Sequence, residues 1–168
     1  MSPSRDNPLI LGIDPGSQNT GWGFIEIAGS DLRCVDYGVI RLPQKMPLSE
    51  RLPLLHERII TVLTECRPSE VAIEEVYVAR NARSALVLGH ARGVIVLACA
   101  QQGFSPYEYQ ANTVKLAVLG QGGASATKER VAFMVKAILG LDEIPKPDDI
   151  TDALACAICH AHKRDLPK

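Results

Sequence analysis

The stretch from residue 9 to residue 23 restricts the fold of this chain more than any other. Residues 9–13 form an unbroken apolar run, and Asp14 follows them directly before a Pro-Gly turn signal. A run that is apolar at consecutive positions is typical of a strand covered on both faces, so we expect it at the centre of a sheet. Residues 20–27 are predicted to form a second strand, antiparallel to the first because the connection is short.

The remaining segments predict an α/β fold. Residues 32–42 alternate between polar and apolar positions, which favours a strand near the edge of the sheet. Residues 70–76 follow a predicted helix, so a right-handed crossover would place this strand parallel to the first and beside it. A fifth strand is predicted at residues 105–109, and helices at residues 48–66, 84–102, 112–119, 127–139 and 148–163. The predicted architecture is a five-stranded mixed sheet with helices on both faces.

Length and composition are those of an ordinary globular protein. At 168 residues we expect a single domain over residues 1–168, with residues 1–7 as a flexible polar tail. We find no signal peptide and no apolar run of membrane length, which predicts a cytoplasmic protein with no membrane partner. The net charge of -1 gives no overall basic field, so binding to nucleic acid would depend on a local basic patch.

The five cysteines indicate reduced thiols. Their number is odd and they lie mostly in apolar segments, unlike the cysteines of a disulfide framework. Residues 156–160 read Cys-Ala-Ile-Cys-His, which matches the pattern of haem attachment. A haem or zinc role is not expected, because the pattern lies inside a predicted helix and no second Cys-x-x-Cys completes a zinc site.

Two neighbouring strands are predicted to bring acidic residues to one edge of the sheet. Asp14 ends the first strand, and Glu74 or Glu75 ends its parallel neighbour, whose carboxyl end lies on the same side. Adjacent strand residues point to opposite faces, so only one of the two glutamates can take part, and spacing alone does not choose between them.

The last predicted helix adds two acids in its first turn, either Asp149 with Asp152 or Asp148 with Asp152. Each acid also has a simpler interpretation, because aspartate is favoured in turns and at helix N-termini. Four converging carboxylates would repel one another unless cations neutralised them, and oxygen ligands suit Mg²⁺ or Mn²⁺. Two such ions about 4 Å apart can activate a water and stabilise the leaving oxygen of a phosphodiester displacement. The sequence therefore predicts a divalent-metal hydrolytic site.

The helix predicted at residues 84–102 is apolar around much of its circumference. Gly89 and Gly93 are four residues apart and would let another backbone come close. We expect this helix to pack both on the sheet and against a second subunit, while the alternative is burial within a single chain.

Several segments, taken in order, resemble a known family. They read LILGIDPGS and TGWG within residues 9–23, AIEEVY at 72–77, Asn81 with SAL, LG and ARG within 84–93, YEY at 107–109, and DITDALA at 149–155. Together they cover nearly the whole chain and are similar to the RuvC family, the Holliday junction resolvases of bacteria.

This resemblance implies an RNase H-like fold, a homodimer and Mg²⁺-dependent cutting of four-way DNA junctions during recombination and DNA repair. Symmetric nicks would leave 5′-phosphate and 3′-hydroxyl ends. It further implies two Mg²⁺ ions per active site, for which Mn²⁺ can substitute, and the branch-migration proteins RuvA and RuvB as partners. The catalytic and metal-binding acids of the family fall on Asp14, Glu74, Asp149 and Asp152. The third acid is a histidine in some members.

Five residues are expected to contact DNA: Tyr77, Arg80, Arg83, Lys115 and Lys128. The resemblance implies that Tyr77 stacks on unpaired bases and that Lys115 and Lys128 lie near the scissile phosphate. Lys128 also gives its helix a basic first turn, which runs against the helix dipole and predicts an anion nearby. The segment 120–128 is about two residues longer than the family pattern, an insertion that a loop absorbs at small cost. Asn112 stands where a basic residue is common.

Three other functions fit parts of the sequence. A nucleotide-binding module of the actin and sugar-kinase type also has a strand followed by Asp-x-Gly, but it needs two lobes, which 168 residues cannot hold. An RNase H-like nuclease that processes ribosomal RNA precursors shares the first-strand pattern, although such nucleases are usually shorter and lack the long helix with small residues. A non-catalytic DNA-binding scaffold would make the acids dispensable.

Overall fold

The computed structural model describes residues 7–75, 81–120 and 126–164. Its five strands are β1 (Leu9–Asp14), β2 (Asn19–Ala28), β3 (Asp31–Arg41), β4 (Glu70–Glu74) and β5 (Tyr107–Tyr109). They form one sheet in the order β3-β2-β1-β4-β5. β1 pairs antiparallel with β2 and parallel with β4, β3 is antiparallel to β2, and β5 is parallel to β4. The mixed sheet, with β1 at its centre and β3 at its edge, confirms the predicted arrangement.

The described residues also contain five helices: α1 (Leu48–Cys66), α2 (Ala82–Gln101), α3 (Ala111–Leu119), α4 (Lys128–Leu139) and α5 (Asp148–Lys163). α1 and α2 share a core with one face of the sheet. α3, α4 and α5 share a second core with the other face. Helices therefore cover both faces, as predicted.

Successive side chains of β1 point alternately into the two cores. Leu11 and Ile13 are fully buried against α1 and α2, whereas Ile10 is fully buried on the opposite face with α5. The consecutive apolar residues of β1 thus face two different cores, which explains why its sequence does not alternate. Asp14 has the same parity as Ile10, so it belongs to the face that α5 covers.

The largest differences from the predicted element boundaries, of two residues each, occur at three places. β4 ends at Glu74 rather than at residue 76, and β5 begins at Tyr107 rather than at residue 105. α2 begins at Ala82, before the predicted start, because the Asn81 side chain accepts hydrogen bonds from two backbone N–H groups of the first turn. Of the expected N-terminal tail only Asn7 is described, and its side chain donates to Glu26.

α2 is long and apolar enough to cross a membrane by length and composition. The expectation that the chain lacks an apolar run of membrane length is therefore wrong by that measure. One side of α2, however, lies in the core shared with α1 and the sheet, through Ala91, Ile95, Ala98 and Cys99. A helix with one buried face inside a domain core meets the same criterion without spanning a bilayer.

Candidate active site

The carboxyl end of β1 carries Asp14 on the face that α5 covers. In the antiparallel ladder Asp14 is paired with Gly21, and Gly12 is paired with Gly23. All four residues therefore project from the same side of the two strands. Because three of them are glycines, this side of the sheet is open to the close approach of another backbone.

α5 occupies that space, and its backbone lies directly against the sheet. A Cβ atom added at Gly12 would lie 2.1 Å from the carbonyl oxygen of Ala153, and one added at Gly21 would lie 1.9 Å from that of Asp149. No side chain fits at either distance, so both positions require glycine. The contact at Gly21 places the first turn of α5 beside Asp14.

β4 brings Glu74 to the same face and the same level. The parallel register places Asp14 and Glu74 at neighbouring positions, each one residue beyond the last paired position. Glu70 identifies the face, because its carboxylate lies 2.8 Å from Nε2 of His160 on α5. Strand alternation puts Glu74 on that face as well, and Glu75 on the other. The choice that spacing left open therefore falls on Glu74.

Burial and mutual repulsion act on these acids together. Burial, followed by the negative charges of Glu74, Asp152 and Asp149, raises the pKa of Asp14 from 3.8 to about 8. Burial, followed by the charge of Asp152, raises the pKa of Glu74 to about 7. Burial also raises the pKa of Asp152. Asp14, Glu74, Asp149 and Asp152 are thus near enough for their charges to act on one another.

Two lysines from the neighbouring helices face the acids. Nζ of Lys128, at the start of α4, lies 3.4 Å from Oδ2 of Asp152. The charge of Lys115, on α3, opposes the rise in the pKa of Glu74. Both lysines, together with Glu74 and Asp152, line a cavity of about 200 Å³ whose other lining residues are apolar: Ala111, Val114, Val131 and Ala155.

Asp148 lies outside this cluster. Its Oδ1 is 2.5 Å from Nζ of Lys146, and both side chains are largely exposed. The hydrogen bond from Lys146 lowers the pKa of Asp148, the opposite direction to that of Asp152. Of the two pairs that helical spacing allowed, Asp149 with Asp152 is the pair next to β1.

The chemistry of the cluster suits a hard divalent cation. Its potential ligands are all carboxylate oxygens, and Asp14 and Glu74 form no hydrogen bond or ion pair within the described parts of the chain. In residues 7–75, 81–120 and 126–164, no three His, Cys, Asp or Glu side chains are already close enough to hold a metal ion. A bound cation would relieve the repulsion that raises these pKa values, so the acids can draw together around it.

Sequence reasoning missed the residues that fix the turn after Asp14. The hydroxyl of the buried Thr20 donates to the carbonyl oxygen of Gly16 at 2.9 Å and accepts from its N–H at 3.3 Å. Arg51, in the first turn of α1, donates from Nη1 to the carbonyl oxygen of Ser17 at 3.0 Å. A threonine at the start of a largely apolar strand was the signal in the sequence.

The remaining predicted site residues are placed as follows. Tyr77 and Arg80 lie outside the described residues. Arg83 lies in the first turn of α2 and is exposed.

His160, from the Cys-x-x-Cys-His pattern, is buried, and its ring nitrogens lie 2.7 Å from the Tyr109 hydroxyl and 2.8 Å from Glu70. This pattern serves to join α5 to the sheet, and all five cysteines are unpaired.

Comparison with known proteins identifies the family. The family model described as crossover junction endodeoxyribonuclease RuvC matches residues 10–160. The chain belongs to the RuvC family. RuvC of Desulfitobacterium hafniense (strain DSM 10664 / DCB-2) is 50% identical over 158 residues, which cover 94% of each chain. RuvC of Pelotomaculum thermopropionicum is 47% identical over 154 residues, or 92% of this chain and 93% of that relative.

A solved structure, T. thermophilus RuvC in complex with Holliday junction substrate, is also similar. It matches with a TM-score of 0.87 and 37% identity, covering 94% of each chain. The RuvC match confirms the RNase H-like fold and makes this chain a crossover junction endodeoxyribonuclease. It favours RuvC over the nucleotide-binding module, the ribosomal RNA nuclease and the non-catalytic scaffold.

Proposed function

We propose that this chain resolves Holliday junctions by symmetric hydrolysis of two phosphodiester bonds, leaving 5′-phosphate and 3′-hydroxyl ends, in homologous recombination and DNA repair. The single observation that carries this proposal is the similarity, along 94% of each chain, to a RuvC bound to a Holliday junction. The cluster of buried acids at the carboxyl ends of β1 and β4 supports it, because phosphodiester hydrolysis is the chemistry such clusters serve.

In this proposal the metal ligands are Asp14, Glu74, Asp149 and Asp152, and the cofactor is Mg²⁺, two ions per active site, with Mn²⁺ as a substitute. When bound, the cations supply activation of water and stabilisation of the leaving oxygen. The four residues supply the oxygen ligands that these hard cations prefer. Because the pKa of Asp14 is raised to about 8, its carboxyl group must give up a proton on cation binding.

The basic residues orient the DNA. Lys115 and Lys128 line the cavity beside Glu74 and Asp152, so a phosphate held by these lysines would lie next to the acids. Tyr77, Arg80 and Arg83 follow β4 in sequence, and we assign them to the DNA strands near the crossover.

A junction-cleavage assay tests the proposal. Synthetic four-way junction, linear duplex and ribosomal RNA precursor are each incubated with the protein in Mg²⁺ or in EDTA. We expect paired nicks in the junction alone, and only in Mg²⁺. Asp14→Asn should slow cleavage by more than about 100-fold, since losing even a residue that merely supports a metal ligand costs 10–100-fold. It should leave junction binding intact.

Asp148→Asn is the matched control, because Asp148 is an acid of the same helical turn that pairs with Lys146 outside the cluster. This variant should cut like the unmodified protein. If Asp14→Asn still cuts junctions in Mg²⁺, the assignment of the acids is wrong. If the unmodified protein prefers precursor RNA, the substrate assignment is wrong.

The proposal includes a homodimer and a cytoplasmic location, with RuvA and RuvB as the proteins that deliver the junction. The outward face of α2, where Leu86 and Leu97 are 64% and 52% exposed, supports the dimer. The proposed DNA substrate and the unpaired cysteines support the cytoplasmic location. A pull-down with purified RuvA and RuvB on junction DNA tests the assignment of these two proteins as partners. Failure of the protein to bind the RuvA–RuvB–junction complex would contradict it.

A further inference from the structure

The ammonium group of Lys128 lies beside the carboxylates that we propose as metal ligands. Its Nζ lies 3.4 Å from Oδ2 of Asp152, and it lines the same cavity as Glu74. Its positive charge also acts on Asp14 and Glu74. Among the described residues, Lys128 is thus the lysine whose charge acts on the largest number of the cluster acids.

The position of Lys128 in α4 is otherwise unfavourable. It is the first residue of the helix, where the helix dipole disfavours a positive charge. The helix does not need it there, because the Thr127 side chain already caps the N-terminus by accepting a hydrogen bond from the Arg130 backbone N–H. The acid cluster is the local feature that compensates for a lysine at this position.

We propose that Lys128 is a built-in counter-ion that partly neutralises the acid cluster before metal binds and that the divalent cation must displace from Asp152. This inference rests on the proposed metal site. Lys128 is well suited to be displaced, because its side chain is 70% exposed and can move away into solvent. Released from Asp152, the ammonium group becomes available for a phosphate of the DNA.

Calorimetric titration of the DNA-free protein with Mn²⁺ tests the inference without relying on activity. Lys128→Met should bind Mn²⁺ about threefold more tightly, because one exposed positive charge that competes for the acids is gone. In EDTA the same variant should melt about 2–4 °C lower than the unmodified protein. In saturating Mn²⁺ this difference should disappear, because the metal replaces the missing charge.

Two further variants make the result specific. Lys128→Arg keeps the positive charge and should restore the Mn²⁺ affinity and the EDTA melting temperature of the unmodified protein. Lys136→Met, about two turns further along α4, removes a lysine that is remote from the acids and should leave the Mn²⁺ affinity unchanged. Equal or weaker Mn²⁺ binding by Lys128→Met would overturn the counter-ion role while leaving the metal site standing. No Mn²⁺ binding by the unmodified protein would overturn both.

Discussion

Asp14 shows how a single residue combines structure and chemistry. It sits at the end of a central strand, and burial together with three neighbouring acids raises its pKa to about 8. The metal-free carboxyl group is therefore mostly protonated at neutral pH, and cation binding and proton release are linked. In the absence of metal, this residue is a source of instability that grows with pH.

The pH dependence of stability follows from the direction of these shifts. A carboxyl group with a raised pKa in the folded state favours folding less and less as pH rises from its ordinary value, 3.8 for Asp14, to its folded value of about 8. In EDTA, the contribution of Asp14 to the free energy of unfolding should thus fall between about pH 4 and pH 8. The free energy of unfolding of Asp14→Asn should depend less on pH than that of the unmodified protein. At pH 8 it should be higher by a few kcal/mol. Urea denaturation across this pH range measures both.

Asp148→Asn serves as the control, because pairing with Lys146 lowers rather than raises the pKa of Asp148. Its slope between pH 4 and pH 8 should match that of the unmodified protein. Equal slopes for Asp14→Asn and the unmodified protein would show that Asp14 is not destabilised by burial and repulsion, whatever its role in catalysis.

At the scale of elements, the site depends on the close packing of α5 against glycines of β1 and β2. A Cβ atom at Gly21 would lie 1.9 Å from the carbonyl oxygen of Asp149, so Gly21→Ala must push the first turn of α5 away from Asp14. We expect the free energy of unfolding to fall by about 1–3 kcal/mol, which is typical of overpacking. Metal-dependent cleavage should fall further than this loss of stability explains, because Asp149, a proposed metal ligand in the first turn of α5, is displaced. Urea denaturation and the junction assay separate the two effects.

Gly29→Ala is the matched glycine control, because Gly29 lies in the turn between β2 and β3, at the opposite end of β2 from Gly21, and a Cβ atom there has no neighbour within 4 Å in the described chain. Its φ of 66° is unfavourable for alanine, so this variant should lose about 1–2 kcal/mol of stability, while its cleavage should fall no further than that loss explains. If Gly21→Ala is as stable and as active as the unmodified protein, α5 is not seated on β2 as described.

Much of this element-level arrangement was predictable from the sequence. The consecutive apolar residues of β1 and the crossover rule predicted its central position and its parallel neighbour β4. The identity of the acids was not predictable from spacing. Glu74 is selected by the face that α5 covers, and Asp149 by the contact of α5 with Gly21, both of which join residues far apart in sequence.

At the scale of the whole molecule, α2 presents an apolar surface that the described chain leaves open. Ala85, Leu86, Gly89, His90, Gly93, Val94 and Leu97 line a cavity of about 500 Å³ on its outward side. The sequence predicted that α2 packs on two sides, and within the described residues only its inner side is covered. The two glycines would let a second helix approach closely, since interaxial distance depends on the side chains at the contact.

A twofold dimer through α2 would place two active sites on one junction, which itself has approximate twofold symmetry. Leu97→Arg tests this dimer, because a guanidinium group in an apolar interface costs several kcal/mol and each 1.4 kcal/mol is tenfold in the dissociation constant. Sedimentation should show a dimer for the unmodified protein and a monomer for Leu97→Arg. Phe133→Arg, a comparably exposed apolar position on α4, should remain a dimer. In the junction assay, the Leu97→Arg monomer should nick one strand without the paired second cut. Paired cuts by this monomer would refute the proposal that the dimer supplies the two active sites.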